Sequence, residues 1–486
     1  MSCIRIFFLY SVLLYAEAAF SQNKAAIRPN VIIINMDDMG YGDTEPYGMT
    51  GISTPNFNRM AREGMRFTHF NAAQAICTAS RAALLTGCYP NRIGVHGALM
   101  PWSDRALNPS EETIASLLKE AGYETGMLGK WHLGAKPPYF PTYYGFNSFY
   151  GLPYSNDMWP VDIDGNAVTD SSQKVAKFPW LPVIDGEKQV GTIRTFADQE
   201  QLTTTLTKKA VSFIENNKNK PFFLYLAHPM PHIPLAASAK FKGKSELGTF
   251  GDVIMELDWS LGEIINTLDK ERLSEKTILI VTSDNGPWLI YGNNAGSSGG
   301  FKEGKGTIWE GGTRVPCLIR WPGKVEAGGI CSQLLTNMDL LPTICSFTGA
   351  GLPVKEIDGI DFSALLLGKT RKGPRDVFYY YYEANNLKAV RYKTWKLVFP
   401  HDSRSYALGT RAKDRHSGST VKVTVPQALY DLAHDPGEAY DVQKLYPDTV
   451  KKILRFAEIA REDLGDDLTQ RKGKNVRAAA KLRRGL

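Results

Sequence analysis

Short, unbroken apolar runs recur along the chain, and each ends in side chains that can bind charge. Pro29 to Asn35 is a β-branched run of the kind buried on both faces of a sheet, and it ends at Asp37-Asp38. Thr277 to Ser283 repeats that pattern and ends at Asp284-Asn285-Gly286. Pro221 to Ala227 ends at His228-Pro-Met-Pro-His232, and a strand after Gly122 ends at Gly129-Lys130-Trp131-His132. Helical patterns alternate with these runs. One begins just after Cys77, and another, opened by Asn108-Pro109-Ser110-Glu111, carries Ile114, Leu117 and Leu118 and stops at Gly122. Others cover residues 199–216, 249–269 and 338–349. Such alternation predicts an α/β fold. Residues 135–197, rich in Pro, Gly and aromatics, read as an irregular excursion that covers a site. Beyond about residue 370 the pattern changes to short aromatic strands at 377–382, 388–392, 395–399 and 429–432, closed by a helix at 447–463.

These breaks divide the chain into residues 1–18, a large domain at 24–370, an antiparallel-sheet subdomain at 371–465 and a tail at 466–486. Arg5, the apolar run Ile6 to Tyr15 and Ala16-Glu17-Ala18 read as a secretory signal peptide cut near Ala18. That run is too short to span a bilayer and no later stretch is long enough, so no transmembrane anchor is expected. The chain lacks an Asn-x-Ser/Thr sequon with x other than Pro, which suits a bacterial periplasmic or secreted protein better than a lysosomal one. Removing Cys3 leaves Cys77, Cys88, Cys317, Cys331 and Cys345, an odd number for an oxidising compartment, with no pairing assigned. After Asp467 the tail holds Arg471, Lys472, Lys474, Arg477, Lys481, Arg483 and Arg484 with no acid among them, seven cations that equal the whole net charge of +7. A solvated tail is favoured over a patch for anionic polysaccharide, and the absence of aromatics among these cations speaks against nucleic acid.

Paired carboxylates at strand ends suit a hard cation, although Asp-Asp-x-Gly is also an ordinary turn. Lys130 and His132 can both face one anion. Two histidines in five residues suggest zinc, but the intervening prolines and the lack of a nearby Cys weaken that reading. Taken together, the phrases resemble the type I, formylglycine-dependent sulfatase family, in its branch similar to arylsulfatase A and N-acetylgalactosamine-6-sulfatase. Cys77-Thr-Ala-Ser-Arg81 matches the family's Cys-x-Pro-Ser-Arg core with Ala79 in place of Pro, followed by Leu84-Leu85-Thr86-Gly87. Gly122 to His132, Gly304-Lys305-Gly306 to Gly312, and Leu429 to Glu438 match further phrases in order.

The resemblance implies an alkaline-phosphatase-like fold, with a mixed, mainly parallel central sheet and a smaller C-terminal α+β domain. It implies that a formylglycine-generating or sulfatase-maturating enzyme converts Cys77 to Cα-formylglycine, and that one Ca²⁺ is held by Asp37, Asp38, Asp284, Asn285 and residue 77. By the same resemblance Lys130 and Lys305 bind the sulfate, Arg81 fixes the gem-diol, His232 is the general acid and His132 the base. Lys302 is the nearby decoy for Lys305. Ser155 is carried over from a family loop, and Trp102, Asn156, Trp159, Trp288 and Tyr291 are sugar-subsite candidates that could equally be packing residues. The expected substrate is a sulfated saccharide, of galactose or N-acetylgalactosamine type. Two rival readings are a phosphatase or phosphodiesterase of the same superfold, and an unmodified carbohydrate-binding relative. The first needs more Asp/His ligands, and the intact Lys130, His132, His232 and Lys305 count against the second.

Overall fold

The structure, a computed structural model, describes residues 28–162, 164–410, 412 and 416–482; the expected signal peptide lies outside the described residues. Its main sheet contains ten strands, in chain order β1 (Asn30–Met36), β2 (Met65–Phe67), β3 (Glu124–Lys130), β4 (Ser148–Leu152), β5 (Leu181–Asp185), β6 (Lys188–Ile193), β7 (Phe222–Ala227), β8 (Thr277–Ser283), β9 (Cys317–Arg320) and β10 (Gly329–Cys331). Across the sheet the order is β10-β2-β9-β8-β1-β7-β3-β4-β5-β6. The middle five, β8-β1-β7-β3-β4, are parallel, while β9 and β5 begin antiparallel margins. This is the mixed, mainly parallel sheet that the resemblance implies.

Strand β1 shows why a continuous apolar run is needed. Val31 and Ile33 enter one core with the helices Cys77–Thr86, Ile114–Glu120 and Leu340–Thr348. Ile32, Ile34 and Met36 enter the opposite core with Pro55–Glu63, Leu202–Asn217 and Gly248–Lys270. Successive side chains of a strand point to opposite faces, so a strand between two helical layers must be apolar at both. Each fully buried isoleucine contributes about 1.5–3 kcal/mol.

The C-terminal domain is a four-stranded antiparallel sheet of Val377–Tyr382, Asn386–Tyr392, Trp395–Val398 and Ala428–Asp431, against which Pro447–Asp463 packs. A buried network joins it to the large domain. Lys396 Nζ lies 3.2 Å from Glu310 Oε1 and 2.7 Å from Glu438 Oε1, and all three side chains are fully buried.

Several expectations are revised. The helix expected from Asn108 begins at Ile114: Thr113 and Ser116 form a reciprocal capping box, while Asn108 to Glu111 closes as a turn. Asn and Thr are both good caps; Asn108 accepts only from the Ser110 N–H within its turn, whereas Thr113 and Ser116 cap each other reciprocally at the helix start. The stretch 135–197 is not irregular throughout, because β4, β5 and β6 lie within it and extend the main sheet. Cys77, Cys88, Cys317, Cys331 and Cys345 are all buried and free. The tail stays largely exposed, as expected, but it folds back onto the body: Ala480–Lys481 pairs with Arg105–Ala106, Lys474 meets Glu462 at 2.5 Å, and Arg477 meets Glu111 at 2.8 Å. Those partners are acids elsewhere in the chain, so the tail's own composition could not reveal them. Among the described residues no helix is long and apolar enough to cross a membrane.

Candidate active site

Strands β1, β7, β3 and β8 all run the same way, so the residues that follow them gather at one edge, where α/β sheets commonly place ligands. In-register pairing of Met36 with Ser283 sets Asp37 and Asp38 beside Asp284 and Asn285. Lys130 ends β3, His132 follows it, and His228 and His232 follow β7. Gly129, at φ +99°, could not be another residue, since a Cβ there would sit 1.9 Å from the carbonyl oxygen of Ala227. Cys77 is the first residue of its helix, after an extended Ile76. Asp38 and His132 both hold left-handed backbones, at φ 64° and 63°, which non-glycine residues adopt at a cost.

A charge lattice holds this edge together. Arg81 donates through Nε to Asp284 Oδ2 at 2.9 Å and through Nη1 to the carbonyl of Lys130 at 2.8 Å. Its Nη2 lies 3.4 Å from Asp37. The Lys130 ammonium contacts Asp37 and donates to Ser155 Oγ at 2.9 Å. Lys305 reaches the two oxygens of Asp38 at 2.7 and 2.9 Å. Burial alone would raise Asp37, but Lys130, His232 and Arg81 hold it well below the ordinary carboxylate range. Burial and the carboxylates of Asp37 and Asp38 push Asp284 up instead. The Cys77 thiol is raised to about 11 by burial, despite the opposing pull of Lys130 and Lys305. At neutral pH it is therefore a protonated thiol and a poor nucleophile.

Hydrogen bonds assign the histidine tautomers. His132 Nε2 lies 2.9 Å from the carbonyl of Leu99, so Nε2 carries the proton. Its Nδ1 is left as a bare acceptor, buried and without a partner among the described residues. Burial, then Lys130, drives the His132 pKa well down, which keeps that lone pair free. In His232 the roles reverse: Nδ1 donates to the carbonyl of Ile233 at 2.6 Å, and Nε2 faces Asp38 at 3.6 Å.

Ligand atoms of Asp37, Asp38, Cys77 and His232 lie within 4.8 Å of one another. Two buried oxygens beside them, Asp37 Oδ1 and Asn285 Oδ1, have no hydrogen-bond partner among the described residues. Orphaned oxygens among converging carboxylates fit a hard cation. Both oxygens of Asp284 are engaged, Oδ2 by Arg81 and Oδ1 by the Asp38 N–H at 3.1 Å.

The remaining candidates separate into those that face this cluster and those that pack elsewhere. Trp288 lies beside it, with its ring 5.6 Å from His232 and 4.7 Å from Lys305 Nζ, and Tyr291 stands edge-on to Trp288 at 5.2 Å. Tyr291 also borders an apolar groove of about 170 Å³ formed with Phe196 and residues 233–237. Trp102 is half exposed and stacks on Phe178. Trp159 is core, packed edge-on to Phe196, and Asn156 is buried with its amide on Gln199 at 3.1 Å. Lys302 points away from the cluster, over the ring of Trp309 at 3.6 Å, and donates to the Glu438 carbonyl. His228 binds Ser260 and stays in the core.

Three supporting residues lay outside the sequence reading. Thr78 donates to the His132 carbonyl at 2.9 Å and accepts from the Leu99 N–H, which ties the helix of Cys77 to that histidine; its position inside the Cys77 phrase was the available signal. Tyr406 donates to the Lys305 carbonyl, and the Tyr382 hydroxyl stands near Gly306. Both come from the C-terminal domain, and no local pattern marked them.

Known proteins are similar to this chain in sequence and in fold. The sulfatase family profile matches residues 29–350, and the profile for the C-terminal region of aryl-sulfatase matches 373–481. Human arylsulfatase A is 37% identical over 439 residues, which is 85% of this chain and 83% of that protein. The N-acetylgalactosamine-6-O-sulfatase of Bacteroides thetaiotaomicron is 33% identical, over 89% of this chain and 93% of that one. The crystal structure of PsFucS1 sulfatase from Pseudoalteromonas sp. superposes with a TM-score of 0.80 at 29% identity, covering 93% and 92% of the two chains. A phosphonate monoester hydrolase of Agrobacterium radiobacter, at 19% identity and a TM-score of 0.59, shares the fold alone. With both profiles matched in order over nearly all the described residues, the chain belongs to the sulfatase family of sulfuric ester hydrolases.

Proposed function

We infer that this chain is an exported sulfatase that cleaves sulfate esters of galactose- or N-acetylgalactosamine-type saccharides, with residue 77 matured to formylglycine. The observation that carries the reading is the convergence of Lys130, Lys305 and His232 on the Asp37–Asp38 pair around Cys77. A thiol raised to about 11 makes a poor reagent, whereas the hydrate of formylglycine supplies a hydroxyl nucleophile and a second hydroxyl whose deprotonation releases sulfate. Bound through Asp37, Asp38, Asp284, Asn285 and residue 77, Ca²⁺ would supply positive charge that acidifies the nucleophile. The unpartnered oxygens of Asp37 and Asn285 support that assignment.

The chain's own residues divide the rest of the work. Lys130 and Lys305 exchange part of their contact with Asp37 and Asp38 for the sulfonyl oxygens and offset the charge that builds there. Ser155, which accepts from Lys130, and Arg81, fixed by Asp284, keep the ammonium and the turn at residue 77 in place. His232 Nε2, once protonated, gives its proton to the departing sugar oxygen, with Nδ1 anchored on Ile233. Bare Nδ1 of His132 accepts the proton that must leave residue 77.

The Bacteroides relative, an N-acetylgalactosamine-6-O-sulfatase, supports an amino-sugar sulfate, and a further structure of similar fold, Ps i-CgsB, is a complex with k-i-k-neocarrahexaose. Export to the periplasm or medium rests on residues 1–18. The test is sulfate release from defined sulfated mono- and oligosaccharides by protein co-expressed with a formylglycine-generating enzyme, with peptide mass read at residue 77. Release from galactose-type sulfates by modified protein, and its loss in Cys77→Ala, is expected. Sulfate release by Cys77→Ala would sink the formylglycine chemistry, and modified protein that releases phosphate but not sulfate would sink the substrate class.

A further inference from the structure

A polar cleft of about 610 Å³ lies in the C-terminal domain, beneath the hairpin of His401–Ser405 and Val421–Val425. Its charged lining is Glu383, Lys388, Asp402, Arg404 and Lys422. Four of these are paired off: Lys388 holds Glu383 at 2.5 Å, and Lys422 holds Asp402 at 2.7 Å. Arg404 has no carboxylate partner within ion-pair distance among the described residues, although it is half-buried with its guanidinium carbon 6.0 Å from the Tyr382 ring centre; Glu383, whose charge reaches it, is already held by Lys388. Withdrawing a guanidinium from water without a counter-charge is costly unless a ligand supplies one.

The position of Arg404 links the cleft to the catalytic loop. Gly306 directly follows Lys305, and a Cβ at Gly306 would lie 2.8 Å from the Tyr382 hydroxyl and 3.1 Å from the Arg404 guanidinium carbon. Gly306 also holds a φ of +77°, so any side chain would be both strained and in the way. The Tyr382 hydroxyl makes no hydrogen bond among the described residues; it lies near the cations Arg404 and Lys305 and near Glu383, whose carboxylate is held by Lys388. A cation without an ion-pair partner and a hydroxyl without a hydrogen bond among the described residues therefore stand directly against the loop that carries Lys305.

The geometry points to an anion subsite in which Arg404 and the Tyr382 hydroxyl hold a second negative group, sulfate or carboxylate, of the saccharide whose sulfate ester sits between Lys130 and Lys305. The inference rests on the sulfatase reading and deepens it: the substrate is a polyanionic saccharide, selected by the C-terminal domain. A guanidinium matches either oxyanion geometrically, so the chemistry is shared and the experiment must separate the sources.

Wild-type enzyme with formylglycine confirmed at residue 77 is compared with Arg404→Gln and Tyr382→Phe on three substrates. These are N-acetylgalactosamine 6-sulfate, N-acetylgalactosamine 4,6-disulfate and the chondroitin 6-sulfate disaccharide, which adds a uronate. In Arg404→Gln the kcat/KM ratio of a two-charge to the one-charge substrate falls about tenfold, mainly through KM, because a charge-assisted contact is lost. Tyr382→Phe, which keeps the ring and the fold, moves the same ratio by less. A loss confined to the disulfate identifies sulfate, and one confined to the disaccharide identifies carboxylate; ratios within twofold of wild type for both overturn the subsite. A second measurement needs no turnover: the Kd for sucrose octasulfate rises about tenfold in Arg404→Gln and stays unchanged in Lys451→Gln, an exposed lysine paired with Asp448. Equal affinities of wild type and Arg404→Gln would overturn the inference even where no substrate is turned over. Absence of sulfate release by wild type would count against the sulfatase reading alone.

Discussion

Lys302 and Lys305 lie three residues apart, and exchanging each for methionine separates chemistry from packing. Lys305 is 6% exposed, and its ammonium sits 2.7 and 2.9 Å from the oxygens of Asp38, facing the cluster around residue 77. Lys305→Met preserves chain length and removes the charge. Losing one preorganised contact to charge that develops in the transition state costs about 2.7–4 kcal/mol, or roughly 10²–10³ in kcat. The Lys302 ammonium instead lies 3.6 Å from the Trp309 ring centre and donates to the Glu438 carbonyl at 3.2 Å. Lys302→Met forfeits a cation–π contact of about 0.5–2 kcal/mol in stability and leaves kcat/KM per folded molecule close to wild type. The assay is turnover of a chromogenic aryl sulfate, normalised to formylglycine content, with urea midpoints measured in parallel. A larger turnover loss in Lys302→Met than in Lys305→Met would refute the assignment of the two lysines.

Further outcomes follow from the buried charges. Lys396→Met leaves Glu438 buried without its cation and Glu310 with only the longer contacts to Arg314 and Arg391, and should destabilise the protein by about 3–5 kcal/mol; a change in urea stability below about 1 kcal/mol would show that the network is not a strut. Burial holds His228 and His69 down at about 3 and His401 at about 4, against an ordinary 6.5. The unfolded chain therefore binds protons first as pH falls, so stability is intact above about 6.5 and drains between about 6.5 and 3, by up to about 1.4 kcal/mol per pH unit per histidine. His228→Gln should flatten that slope in urea midpoints taken across pH, and an unchanged slope would remove His228 from the account. Saturating Ca²⁺ at about 100 times its Kd should add about 2.7 kcal/mol to wild type and far less to Asp37→Asn. Equal stabilisation of the two would move the cation away from Asp37.

Local pattern carried much of this molecule, because some physical demands are local. A strand between two helical layers must be apolar at successive positions, so β1 and β8 announced themselves as Pro29–Asn35 and Thr277–Ser283. Site residues follow such strands at fixed offsets, and short polar phrases around Cys77, Lys130, His232 and Lys305 were readable in order. Where two local signals competed, the outcome lay elsewhere: Thr113 prevailed over Asn108 as the cap because its hydroxyl also reaches the carbonyl of Tyr144.

What an aromatic or charged side chain touches is not local information. Trp159 and Trp288 look alike in sequence, yet one is closed off by Phe196 and the other faces His232 across the cluster. Lys302 and Lys305 diverge because Trp309 and Tyr430 accept one while Asp38 accepts the other. Arg477 reads as a solvated tail cation until its partner, Glu111, appears 366 positions away. The sequence by itself determined the layers, the strand ends and the reactive cluster, since periodicity and turn chemistry are written over a few residues. Tertiary structure alone decided which aromatics face the cluster, the tail's return and the approach of Tyr382 and Arg404 to Gly306, since these depend on segments far apart in the chain meeting in space.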